Sequence, residues 1–197
     1  MEILIKNILP REFYNRDTSE VARELLGKAL VKSCRPGLMV GGIIQETEAY
    51  YGQDDPASHA YGGKTPRSRI MFGKPGIAYV YLCYGMYYLL NVVTEKEGVP
   101  GAVLIRGLKP VWGFDIMRKK RDIKQNIGLA DGPGKLTIAL GINIEDNGAD
   151  IVSGGNRLYI SDYKNNKESS DFKIAVTGRI GIKKGEDRLL RFLIEKE

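Results

Sequence analysis

A chain of 197 residues holds one domain comfortably and two only with difficulty, since domains run to about 100 to 200 residues each. Its 43% hydrophobic and 27% charged residues are the make-up of a globular protein, which excludes a disordered, collagenous or fibrous chain. Thirty Lys and Arg against twenty-four Asp and Glu leave a net charge of +6, a balance that favours anionic partners without choosing among them.

The first helix signal is Asp17-Thr18-Ser19-Glu20, in which Asp17 caps and Glu20 stands three residues on; Val21, Ala22, Leu25 and Leu26 form an apolar stripe that stops at Gly27. Apolar alternation and β-prone residues predict strands at 29–32, 38–50, 77–83, 86–93, 102–106, 157–160, 172–176 and 189–194. Further helices are expected over 111–121 and, after the loop Asp131-Gly132-Pro133, over 134–140. Strands and helices do not alternate regularly. The expected class is therefore α+β, a single domain over residues 1–197 with a mixed, mainly antiparallel, curved sheet and flanking helices. The polar run 161–171 (SDYKNNKESSD) reads as a surface loop.

Residues 75–94 carry no charge over twenty positions, long enough to nominate a membrane helix. Five tyrosines, Gly85 and Asn91 argue instead for a β-hairpin turning near Gly85, and no membrane association is expected. Cys34 and Cys83 have no paired spacing, and the single histidine, His59, completes no metal-binding motif with them. No metal or other cofactor is expected, and a reducing, cytoplasmic setting is. The N-terminal MEILIKNILPREF has no basic region followed by a long apolar stretch, so no secretion signal is read.

The chemistry concentrates between residues 44 and 106. Strand alternation sets Glu46, Glu48 and Tyr50 on one face, an arrangement that an ordinary solvated strand would also produce. His59 lies in a loop rich in Pro, Ser and Gly, where a lone histidine is more often structural than functional. Lys64, Arg67, Arg69 and Lys74 supply four cations without an acid, directly before the tyrosine-rich hairpin. Cations for phosphates beside flat rings for bases are the ingredients of a nucleic-acid site.

Glu46-Thr47-Glu48-Ala49-Tyr50, His59, Thr65-Pro66-Arg67, Met71-Phe72, Lys74-Pro75-Gly76, Tyr79-Val80-Tyr81, Tyr84-Gly85-Met86-Tyr87, Asn91, Val103-Leu104-Ile105-Arg106 and Gly132-Pro133-Gly134-Lys135-Leu136 stand in one order. In that order and near-spacing the chain resembles the alkyladenine (3-methyladenine) DNA glycosylases, and the match is looser over the last sixty residues. The resemblance implies a monomeric base-excision repair enzyme that hydrolyses the N-glycosidic bond of a damaged purine in double-stranded DNA, near the nucleoid if the cell is prokaryotic. It implies that Tyr84, at the tip of a protruding hairpin with Met86 beside it, intercalates to replace a flipped-out nucleotide. Tyr50 on one side, and His59 with Tyr81 on the other, would stack the flipped base, and cation–π attraction would favour a positively charged alkylated ring. Asn91 would crowd the amino group of guanine. Glu48 would be the general base, with Arg106 holding its carboxylate and the attacking water, while Lys64 and Arg67 would contact the DNA.

The same resemblance gives Glu46 no chemistry and leaves Tyr51 without a place; the Lys64-Thr65 segment is shorter than in some relatives. No lysine belongs to the implied pocket, so cleavage by water, without a Schiff base or strand nicking, is expected. Two other readings stay open. One is a non-catalytic nucleic-acid module of related fold, in which Glu48 and Arg106 would be idle. The other is a sugar hydrolase working with Glu46 and Glu48, which leaves the tyrosines and the basic segment unexplained.

Overall fold

A computed structural model of the chain describes residues 5–153, 157–163 and 172–195. Its centre is β3 (Leu38–Tyr50), a strand of 13 residues long enough to take several partners. One edge of β3 pairs along its length with β6 (Ala102–Trp112). The other edge pairs first with β2 (Ala29–Arg35) and then, through Glu46 to Glu48, with β9 (Arg191–Ile194). Register shifts at residues 44 to 47 mark the change of partner, and such bulges bend a strand and increase its twist.

The sheet runs β1 (Ile5–Ile8), β7 (Leu158–Tyr163), β2, β3, β6, β5 (Tyr87–Val93), β4 (Ala78–Cys83), with β8 (Ile174–Thr177) on β9. Every pairing among these strands is antiparallel. Gly41 and Gly42 let the strands close here: a Cβ on Gly41 would meet the Leu30 carbonyl at 2.5 Å, and one on Gly42 the Lys109 carbonyl at 2.4 Å. The helices are α1 (Arg11–Tyr14), α2 (Thr18–Glu24), α3 (Phe114–Arg121) and α4 (Pro133–Leu140). Leu25, Leu30, Ile44, Leu90, Ile105, Met117, Leu136 and Phe192 form the buried core with them. A smaller cluster of Ala60, Met71, Tyr79, Val93 and Ala102 lies under the loop that leads from β3 to β4 and seats it on the sheet.

The expected α+β class with a mainly antiparallel sheet stands, and Asp17 caps α2 by accepting from the Ser19 and Glu20 N–H groups. Several boundaries differ. The strand expected to stop at 106 continues to Trp112, because β3 reaches back to offer Gly41 as its partner; α3 starts only after Gly113. Pro110 is tolerated because β5 pairs with β6 only through residues 102–104, which leaves the far edge without a ladder to break. The short elements β1 and α1 gave no periodic signal. Residues 161–163 of the expected surface loop belong to β7, where Ser161 is buried between β1 and β2; residues 164–171 of that loop lie outside the described residues.

The uncharged segment forms the β4–β5 hairpin. No helix among the described residues is long and apolar enough to cross a membrane. At the hairpin tip Tyr84 and Gly85 have φ of 50° and 69°, and the Met86 N–H donates to the Cys83 carbonyl at 3.1 Å. Two successive positive φ values are the signature of a type I′ turn, which matches strand twist but is uncomfortable for a residue with a Cβ.

Candidate active site

Alternation along β3 sends Glu46, Glu48 and Tyr50 to one face, and β6 delivers Arg106 beside them. The Glu48 side chain is wholly buried. Its Oε1 accepts from the Ile180 N–H at 2.8 Å; its Oε2 accepts from the Tyr50 hydroxyl at 2.8 Å and lies 3.3 Å from Arg106 Nη1. Arg106 Nε donates to Glu46 Oε1 at 2.8 Å, and Arg191 Nε donates to the same oxygen at 2.6 Å. Glu46 is thus not the solvated carboxylate of an ordinary strand face. Burial opposes the charge on Arg106, but Glu48 and Glu46 outweigh it and hold the guanidinium above its usual pKa.

Above this charged floor opens a cavity of about 540 Å³. Its wall includes seven of the residues singled out in the sequence: Tyr50, His59, Arg67, Tyr81, Tyr84, Asn91 and Arg106. Glu48 gives the wall no atom; it lies under Tyr50, Arg106 and Ile180, which do. Lys64 and Met86 are outside the lining, both exposed, Lys64 with its ammonium 5.9 Å from the Phe72 ring centre and Met86 at the hairpin tip. The Arg67 guanidinium stands 4.8 Å over the Tyr81 ring.

The aromatic wall is ordered by contacts along β4. The His59 ring meets that of Tyr81 edge-on, with centroids 4.6 Å apart, and His59 Nδ1 is 2.8 Å from the Tyr79 hydroxyl. Burial, and then the nearby charge of Arg67, lowers the His59 pKa to about 4, so the imidazole is neutral at pH 7. Burial raises the phenol pKa of Tyr50 and Tyr81, which keeps both as O–H groups; for Tyr50 the Glu48 charge adds to the effect. Asn91 is buried across the hairpin from Tyr79 and donates to its carbonyl at 3.2 Å. Thr65 and Ser68 exchange side-chain to backbone hydrogen bonds, fixing the turn that carries Arg67.

Four contributors were given no role from the sequence. Tyr79 was legible in principle, since Tyr79 and Tyr81 alternate onto one strand face. Asp55, Arg179 and Ile180 were not: they come from loops distant in the chain, and the only local hint is an arginine in Gly178-Arg179-Ile180-Gly181. Tyr51, unplaced in the sequence, donates its hydroxyl to the Asp17 carboxylate and so ties the end of β3 to the cap of α2. The basic run 118–121 is partly occupied in structure. Arg118 pairs with Asp115 and Asn126, and Lys120 donates to the Leu140 carbonyl at the end of α4.

A buried carboxylate fixed by an N–H, an O–H and a guanidinium beneath an aromatic cavity can deprotonate a water and stabilise a developing cation. Comparison with known proteins gives a consistent result. The sequence model of the methylpurine-DNA glycosylase family matches residues 12–197. A protein of Methanocella arvoryzae, provisionally named a 3-methyladenine DNA glycosylase, is 50% identical over 184 residues, covering 92% of this chain and 88% of its own. Provisionally named relatives from Carboxydothermus hydrogenoformans and Clostridium perfringens are 48% and 45% identical, each alignment covering 95% of both chains.

Proposed function

The chain belongs to the methylpurine-DNA glycosylase family, and on that premise we propose that it is a monomeric, cytoplasmic base-excision repair enzyme that removes alkylated purines such as 3-methyladenine from duplex DNA. The observation that carries the reading is Glu48, wholly buried below an aromatic cavity and held by Tyr50, Arg106 and Ile180. The reaction belongs to a single domain over residues 1–197. A cavity of about 540 Å³ falls inside the usual range for small-ligand sites, and a purine fits that scale.

The geometry supports the roles that the family resemblance implies. Tyr84, 85% exposed at the hairpin tip with Met86 beside it, enters the duplex and takes the place of the flipped nucleotide. The base stacks between Tyr50 and the His59–Tyr81 pair, a lining that rewards positive charge on the ring. Asn91 excludes the amino group of guanine. Lys64 and Arg67 contact phosphates.

The attacking water reaches Glu48 between Tyr50, Arg106 and Ile180, the groups that stand between the buried carboxylate and the cavity. Glu48 takes a proton from that water as its oxygen bonds to C1′ of the sugar; the C1′–N bond breaks and its electron pair leaves with the purine. The negative charge of Glu48 steadies the cationic sugar, while Arg106 holds the carboxylate in place and orients the water. The sugar-hydrolase reading leaves the aromatic cavity and the tyrosine hairpin unexplained, and its second carboxylate, Glu46, is ion-paired with Arg106 and Arg191.

The test is incubation with alkylated duplex DNA, with borohydride in a parallel reaction. Free alkylpurine, an intact strand bearing an abasic site and no protein–DNA adduct are expected. Absence of released purine refutes the activity, and a trapped adduct refutes the role given to water.

A further inference from the structure

Arg179, in the loop after β8, and Asp55, in the loop after β3, are 124 residues apart, and both side chains are wholly buried. Arg179 Nη1 donates to Asp55 Oδ2 at 2.6 Å and Nη2 to Oδ1 at 2.7 Å, a two-pronged fork. Nη1 also donates at 3.1 Å to the carbonyl of Ala49, the residue between Glu48 and Tyr50. The guanidinium carbon stands 4.7 Å from the centre of the Tyr50 ring. Asp55 in turn accepts from the Tyr51 and Ala57 N–H groups, at the end of β3 and at the approach to His59. The next residue after Arg179 is Ile180, whose N–H reaches Glu48 Oε1.

Stability is a poor explanation for such a pair. Burying two ions costs several kcal/mol each, and apolar residues of similar volume are often at least as stable in their place. What an apolar pair could not do is fix directions. The fork sets the position of the Ala49 peptide, backs the Tyr50 ring, and points the Ile180 N–H at the carboxylate. Tyr50 then adds its own O–H to the other oxygen of the same carboxylate.

We infer that Arg179, held by Asp55, is a positioning residue that aligns the Tyr50 stacking face and the Glu48 general base as one unit. This rests on the glycosylase reading of Glu48 and Tyr50 given above. The pair costs no contact with DNA, so its loss should slow the chemical step and leave DNA affinity nearly unchanged.

Two variants test it, each chosen to spare the buried site an unpaired charge: Arg179→Lys, which keeps the charge and loses the fork, and the double variant Asp55→Asn with Arg179→Gln, which replaces ions by amides. Single-turnover excision from alkylated duplex DNA is compared with affinity for a duplex containing an abasic analogue, well below each variant's Tm. A misplacement of this kind should slow excision by about 10- to 100-fold while affinity stays within about threefold. Excision by both folded variants within about threefold of the parent overturns the inference, as does a parallel loss of rate and affinity. Failure of both variants to fold makes the pair a stability element and also overturns it. Absence of excision by the parent overturns the glycosylase reading itself, and the positioning role with it.

Discussion

Replacing Glu48 by Gln removes the general base, but the hydrogen bonds around it show that the exchange is not silent for the fold. With its amide oxygen toward Ile180, the glutamine turns an NH2 toward the Tyr50 hydroxyl and Arg106, both of which are donors to Glu48. With the amide reversed, the NH2 faces the Ile180 N–H. Either way at least one charge-assisted or buried hydrogen bond is lost, worth about 1.5–3 kcal/mol. Arg106 is not stranded, because Glu46 still accepts from it at 2.8 Å. For a chain of this size the loss corresponds to a fall in Tm of about 3–12 °C. Removing the base and the negative charge together should slow single-turnover excision by at least about 10³-fold. Affinity for abasic-analogue DNA should hold, since Glu48 touches no phosphate. Calorimetry and single-turnover purine release measure the two effects. Excision within about tenfold of the parent refutes Glu48 as the base, and an unchanged Tm refutes the hydrogen-bond reasoning.

Tyr84→Asn should raise stability by about 0.5–1 kcal/mol, since Asn tolerates the left-handed backbone that Tyr84 now adopts, and should lower excision by removing the wedge; a lower Tm would contradict the strain argument. The pKa of His59 is lowered to about 4 from the usual 6.5, so the unfolded chain takes up a proton on His59 between those values and the contribution of His59 to stability falls with acidification within that window. Urea titrations of parent and His59→Gln from pH 4 to 7 should show the parent's advantage shrinking as pH falls, and a flat difference would sink the idea. Lys64→Ala and Lys74→Ala, both removing exposed cations, should each reduce the slope of log affinity against log salt by about 0.9, and an unchanged slope takes that residue out of the phosphate contacts.

Local chemistry determined the parts of this protein that depend on neighbours in the chain. The alternation of Glu46, Glu48 and Tyr50, the cap at Asp17 and the hairpin with Tyr84-Gly85 at its tip each follow from periodicity or turn preference within a few residues. The class of fold was legible for the same reason, and the ordered motifs pointed to the family. Tertiary structure decided the rest. β6 runs to Trp112 because β3 offers it a partner there, a length that the residues after 106 did not announce. Glu46 became an ion-paired residue only when Arg106 and Arg191 arrived from other strands. The Asp55–Arg179 fork joins loops 124 residues apart. Hydrophobic period says which face of a strand is buried, but it carries no information on which distant polar group will meet that face; desolvation makes such meetings obligatory once the chain has closed, and only the closed chain shows where they fall.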